Sequence, residues 1–333
     1  MILLFASERS CYPFTFDGGA EITTYNIADN LSAKWESVIQ LAIIKDKIDY
    51  SKKELLISIG FEISQVAKNA GSENIAGALK VNSLQCKKGA LVIILVNHID
   101  FYEAFINILQ SSKVALVITC LKGSSQLIQI AEQFSVPALH RIFGIDKTNF
   151  PTISGNTHML ANSPTTSKAC ERIYKRKVPF IYSPVNYESY LSKINNPEFV
   201  TIINPRAEKG LHDFCKFCRL LPDIPFLVVQ GWSETEYSDD EIQAFRFLQS
   251  LSNVKIVKSL FDISQIYQVS KVLLVPSVWM EAFGRVVLEA QVNGIPLSLA
   301  ITGIPLTCAS NTTLPKASIH TEGTNKTFDT WYI

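Results

Sequence analysis

Apolar residues along this chain follow two alternating rhythms. Short apolar-rich runs, ILLFAS at 2–7, ALVIILVNH at 90–98, KVALVITC at 113–120, VPALHRIF at 136–143 and THMLANS at 157–163, have the length of buried strands. Between them, AEITTYNIADNLSAK (20–34), FYEAFINILQ (101–110) and SSQLIQIAEQF (124–134) space their apolar residues as helices do. The alternation restarts with strands at 200–205, 224–232, 253–259 and 271–277, and helices at 210–221, 239–251, 263–270 and 284–293. Strands that are apolar on both faces and separated by helices predict parallel sheets covered on each side. The fold class expected is therefore α/β, with two doubly wound, Rossmann-like domains. The stretch 46–83 carries neither rhythm clearly, and no topology is assigned to it.

A chain of 333 residues exceeds the size at which one hydrophobic core stops growing. The segment 175–199, with three prolines, reads as the crossover and divides the chain into domains 1–184 and 185–333. In doubly wound sheets ligands bind beyond the carboxyl ends of the strands. A crevice between the domains, lined by the loops after each strand, is thus where chemistry is expected.

Composition narrows the function classes. Hydrophobic residues make up 47% and charged residues 18%, an ordinary globular balance, and a formal net charge of +1 gives no electrostatic case for nucleic acid. The apolar run 90–96 is far short of the roughly 20 residues that cross a bilayer. No basic leader precedes the opening MILLFA, so a cytoplasmic protein without a transmembrane segment is expected, with peripheral membrane contact left open. Seven cysteines at scattered spacings fit reduced thiols better than a disulfide framework. Cys215 and Cys218 form a lone CxxC, but they share a helix face with Leu211, Phe214 and Leu221, which points to core packing.

The candidate chemistry lies in the second half. After the strand 271–277 the loop VWMEAF carries Glu281; a helix then begins near Gly284 and stops before Gly294 and Pro296, with Glu289 about 7 Å along its axis. The free N–H groups of the first turn make a phosphate seat, and Gly284 lets a ligand approach the backbone. One carboxylate on each side of such a seat suits a diphosphate with sugar hydroxyls at both ends, that is, a nucleotide sugar. NPRAEKG (204–210) places Arg206 and Lys209 in the loop after another strand, where both cations would neutralise a departing diphosphate. Taken singly, Lys209 reads as a solvated lysine and Glu289 as a surface helix acid; their joint placement at two strand ends carries the reading. Gly18 and Gly19 in DGGAE (17–21) allow a tight turn before the first helix, a weak signal by itself.

These residues resemble a known family. The segments 200–232 and 271–296, above all the E-x7-E motif EAFGRVVLE (281–289), resemble the donor domain of the family 4 retaining glycosyltransferases, which have the two-domain GT-B architecture. GGAE (18–21) and the segment 160–186 are similar to the same family's acceptor domain and crossover. The resemblance implies transfer of a sugar from a nucleotide-diphosphate donor to an acceptor hydroxyl, with retention of configuration and no metal or other cofactor. The acceptor, whether glycan, lipid or small molecule, is not named by it. It implies that Arg206 and Lys209 bind the donor diphosphate, that Glu281 lies near the transferred sugar, and that Glu289 holds the ribose. It adds Phe283 and Gly284 to the substrate site, puts Gly18 and Gly19 over the phosphates, and calls for a catalytic histidine in the first domain, matched by His140 with His98 as rival. Where the family has a glutamate after TGIP this chain has Leu306, and residues 295–333 are too few for the elements that usually close the donor domain.

Two other readings share the architecture. A nucleotide-sugar epimerase would form product without an added acceptor, and a non-catalytic module would bind donor without transfer. A retaining glycosidase using Glu281 and Glu289 is disfavoured, since its carboxyls must stand about 5 Å apart.

Overall fold

The computed structural model describes residues 1–333 apart from 15–17, 45–55, 67–78, 80, 147–148, 154, 156, 186, 194–195, 232–236, 259, 261 and 300–333. The chain divides into two compact units, Met1–Pro184 and Val185–Ile333.

In the first unit the strands are β1 (Ile2–Ala6), β2 (Ser37–Ile43), β3 (Glu62–Val66), β4 (Ser83–Lys88), β5 (Leu91–Val96), β6 (Val114–Cys120), β7 (Ala138–Ile142) and β8 (Thr157–Ala161). They form one sheet in the order β3-β4-β5-β2-β1-β6-β7-β8. The helices are α1 (Gly19–Ser32), α2 (Phe101–Ser111), α3 (Ser124–Gln133) and α4 (Pro164–Tyr174). Strand period two decides which side each residue takes. Leu4 and Ala6 join Ile39 and Leu41 in a core closed by Phe101, Phe105 and Ile108 of α2 and Leu127 of α3. Leu3 and Phe5 point the other way, with Val38 and Ala42, under Tyr25 and Ala28 of α1. Phe101, Phe105 and Ile108 are fully buried, each contributing about 1.5–3 kcal/mol relative to an exposed side chain.

Two features depart from the expected pattern. The sheet is not wholly parallel, because β4 pairs antiparallel with both β3 and β5; β3 lies in the stretch that showed no rhythm, whereas β5 is the apolar strand expected at 90–98. The central strand β2, SVIQLAI, lies just beyond the first helix, and a polar Gln40 in its middle breaks the apolar run that marks its neighbours. Gln40 is nevertheless buried, opposite Phe5 of β1.

The second unit contains β9 (Phe199–Ile203), β10 (Phe226–Gln230), β11 (Val254–Lys258), β12 (Ser270–Val275) and β13 (Leu297–Leu299), all parallel, in the order β11-β10-β9-β12-β13. Its helices are α5 (Leu211–Leu220), α6 (Asp239–Gln249), α7 (Ser264–Val269) and α8 (Arg285–Val292). The chain runs outward from β9 through β10 to β11, then returns to lay β12 on the other side of β9. That reversal makes the carboxyl ends of β9 and β12 a topological switch point. Cys218 is buried with Phe214, Phe226 and Leu248, so the CxxC belongs to the packing of α5.

Both units are thus Rossmann-like. Leu306 lies outside the described residues, and among the described residues no helix is long and apolar enough to cross a membrane.

Candidate active site

Two loops meet at the switch point of the second unit. The one after β9 runs through Arg206 and a single helical turn, Ala207–Lys209, to Gly210, whose φ of 80° turns the chain into α5. A Cβ on Gly210 would stand 2.2 Å from the Pro276 carbonyl oxygen, so only glycine lets the loops touch. The Val278 N–H then donates to the Glu208 carbonyl at 3.0 Å. By this contact the loop that carries Lys209 and the loop that carries Glu281 become one surface. Lys209 is half-buried and makes no ion pair among the described residues. The Glu281 carboxylate accepts from the hydroxyl of buried Ser277 at 3.0 Å, and Phe283 is buried behind it. Gly284, at φ 72°, opens α8.

Arg206 is held differently from the expected open cation. Its Nε and Nη2 donate to the two carboxylate oxygens of Glu241 at 2.7 and 3.1 Å, and its guanidinium lies over the Tyr237 ring. Glu241 also accepts from the backbone N–H groups of Ala207 and Ser238 while capping α6. Burial would raise its pKa, but these bonds and the Arg206 charge prevail and hold it at about 2. The guanidinium therefore braces the loop against α6. Glu241 was not anticipated; its signal is the capping box of SDDE at 238–241, which fixes where its carboxylate sits.

Glu289 is likewise no surface acid. It is buried, one oxygen accepting from the Tyr267 hydroxyl at 2.7 Å and the other facing Arg285 at 3.3 Å. Arg285, itself buried, also donates to the Tyr190 hydroxyl. The i, i+4 spacing of Arg285 and Glu289 inside an apolar helix was the available clue.

His140, the expected catalytic histidine, is held inside the first unit. It lies on β7 with no exposure, and Nε2 donates to the Asn149 carbonyl at 3.1 Å, which leaves Nδ1 to accept from Thr119 at 3.0 Å. Both ring nitrogens are thus engaged inside the first unit. Burial pushes its pKa down to about 4, only partly opposed by the Asn149 bond. The unfolded chain, titrating near the ordinary 6.5, binds more protons between these values. Stability is complete above that ordinary value and falls as pH drops toward 4, by at most about 1.4 kcal/mol per pH unit. Urea unfolding from about pH 7 to about pH 5 is expected to show this loss in the wild type and a shallower one in His140→Gln. Equal slopes would mean the imidazole reaches solvent.

His98, by contrast, stands on a turn just after β5 with its side chain 57% exposed, against Glu8. Gly18 is the extended residue before α1 and Gly19 its first residue. A Cβ on Gly18 would press on the Glu21 carboxylate at 3.0 Å. The structure thus gathers Arg206, Lys209, Glu281, Phe283 and Gly284 at one edge of the second unit, with Glu289 in the helix behind, while His140, His98, Gly18 and Gly19 belong to the first unit.

Residues 188–306 match the family described as glycosyl transferases group 1. Comparison with curated proteins gave no match. Among solved structures, the sucrose-phosphate synthase of Thermosynechococcus elongatus has a TM-score of 0.62 at 16% identity, over 91% of this chain and 81% of that one. The Anabaena protein Alr3699/HepE in complex with UDP and glucose gives 0.61 at 16%, over the same shares. A glycosyltransferase from Rickettsia africae gives 0.60 at 15%, over 93% of this chain and 81% of that one. The fold is therefore the GT-B architecture of two Rossmann-like domains. The group 1 match falls on the unit that holds the joined loops.

Proposed function

We propose that the protein transfers a sugar from a nucleotide-diphosphate donor to an acceptor hydroxyl, with retention of anomeric configuration and without a metal ion, in the manner of family 4 glycosyltransferases. The observation that carries this is the junction of the β9 and β12 loops, with Lys209, Glu281 and the α8 terminus on one surface inside the matched segment. Lys209 and the first N–H groups of α8 neutralise the diphosphate; Glu281 orients the sugar and Glu289 the ribose. As the bond from the sugar to the diphosphate oxygen breaks, the acceptor oxygen bonds the same face and its proton passes to the departing phosphate. The binding of UDP and glucose by the Anabaena neighbour supports a nucleotide-sugar donor here. The described cysteines are all free thiols, which supports a reducing, cytoplasmic setting.

The test is thermal unfolding with UDP-, ADP- and GDP-sugars, followed by transfer assays with the stabilising donor and NMR of the product anomer. At least one donor is expected to raise the melting temperature, because a ligand of the native state must stabilise it. Stabilisation by none would remove the donor site. Product formed without acceptor would make the protein an epimerase.

A further inference from the structure

The outer edge of the first unit, beyond β8, concentrates positive charge. Between Pro164 and Ser183 stand Lys168, Arg172, Lys175, Arg176 and Lys177 against Glu171 alone, although the whole chain has a formal net charge of only +1. All of these cations are exposed. Arg172 in the last turn of α4 and Lys175 at its end also suit the negative pole of that helix. The helix end accounts for those two charges and leaves their apolar neighbours unexplained.

Ile173, Phe180, Ile181 and Tyr182 are large hydrophobic residues of the same stretch, and all are exposed, Ile181 to 60%. From Arg172 to Tyr182 only Tyr174 and Val178 are drawn in from the surface. Looseness is not the cause, because the backbone is pinned. Val178 is buried in one cluster with Cys170 and Met159, and the Ser167 hydroxyl donates to its carbonyl. The Ala161 N–H donates to the Pro179 carbonyl at 2.9 Å, and the Ile181 N–H to the Ala161 carbonyl at 3.0 Å. Arg141, buried on β7, spends Nη2 on the Ile181 carbonyl at 3.0 Å. The segment thus lies fixed along β8 with its side chains outward, and the Phe180 and Tyr182 rings meet edge to face with centroids 5.5 Å apart. An apolar strip held open beside cations marks an interaction surface.

The mixture of charge and hydrophobicity selects the partner. A nucleic acid would neutralise the cations but leave Ile173 and Ile181 facing water. An anionic bilayer uses both: headgroup phosphates meet the cations, while aromatic and branched side chains enter the boundary between headgroups and acyl chains.

We propose that the stretch from Arg172 to Tyr182 docks the first unit on an anionic membrane surface, its cations over the headgroups and Phe180, Ile181 and Tyr182 in the interface. The test is sedimentation of the full chain with vesicles of phosphatidylcholine, alone or mixed with phosphatidylglycerol. Binding is expected to the mixed vesicles, with little to the neutral ones, and it should weaken tenfold or more, as an order of magnitude, when salt is raised well above the physiological level. Each cation near such a surface is worth about fivefold in partitioning, so Arg172→Gln with Lys175→Gln and Lys177→Gln should lower it by about 100-fold. Phe180→Ser with Tyr182→Ser should lower it by about tenfold, and on neutral vesicles should change nothing. Hydrogen exchange of the unaltered chain locates the contact without any variant: amides of 175–182 should slow on mixed vesicles. Equal binding to neutral vesicles, protection confined to other segments, or triple-variant partitioning like that of the wild type would overturn the inference. Tighter binding to a single-stranded oligonucleotide or to polyglutamate than to the mixed vesicles would do the same, reassigning the patch to a polyanion. The inference stands apart from the sugar-transfer reading, since vesicle binding and donor binding are measured separately and either can fail alone.

Discussion

Glu289→Ala is expected to destabilise the second unit by about 3–5 kcal/mol, seen as an earlier thermal transition in calorimetry. The size follows from what remains behind. Arg285 would keep its charge in a place where its side chain is 9% exposed while losing the Glu289 carboxylate at 3.3 Å, and the Tyr267 hydroxyl would lose its acceptor. Removing one member of a buried pair costs far more than removing both, so the double change Glu289→Leu with Arg285→Met should recover most of the loss. Glu289→Gln separates packing from ligand binding. The amide still accepts from Tyr267, so the melting temperature should fall less, while a carboxylate that also holds a ribose would be missed by UDP and not by pyrophosphate. A full-sized drop in stability with UDP and pyrophosphate equally affected would make Glu289 a structural residue only.

The alternation of apolar strands and helices was legible because burial on both faces keeps polar residues few in the strands and removes them altogether from β1 and β5. β5, LVIILV, is buried throughout, and α2 buries Phe101, Ala104, Phe105 and Ile108, the spacing of one helix face. β2 escaped because Gln40 occupies a core position as a neutral polar group that hydropathy counts as surface. α4 is weakly marked in sequence although Ser163 caps it and Pro164 opens it, because its apolar face is thin, with Cys170 its one hydrophobic residue in the core.

The site shows the same division. Strand ends and the following turns are local properties, so Arg206, Lys209, Glu281 and Gly284 could be placed on loops from spacing alone. What each side chain meets is not local. Arg206 is bound by Glu241, 35 residues away in sequence, and Glu289 is met by Tyr267, 22 residues before it. A histidine at a strand end looks the same in sequence whether it faces solvent or Thr119, which is why His140 and His98 could not be told apart without coordinates. The tight fit of Gly210 under Pro276 was equally hidden, since the second residue of the pair lies on another loop.

Lys209→Ala is expected to lower kcat/KM for the donor by about 100-fold or more and to weaken UDP binding, with the melting temperature nearly unchanged. The contrast with Arg206 supplies the reason. The Arg206 guanidinium spends two of its donors on Glu241, so its substitution should act through stability and loop position. Lys209 sits three residues on, at the end of the turn whose neighbour Glu208 is bonded to the β12 loop, and among the described residues no carboxylate pairs with its ammonium. Its half-buried place means that a diphosphate charge met there is screened less than at an open surface, and the gain grows as the bond to the leaving group stretches. Lys209→Arg should restore binding better than turnover, because a planar fork does not reproduce a compact ammonium. Steady-state kinetics with the donor, together with UDP calorimetry, decide the matter: a Lys209→Ala protein that binds UDP and turns over like the wild type would move the diphosphate away from this loop.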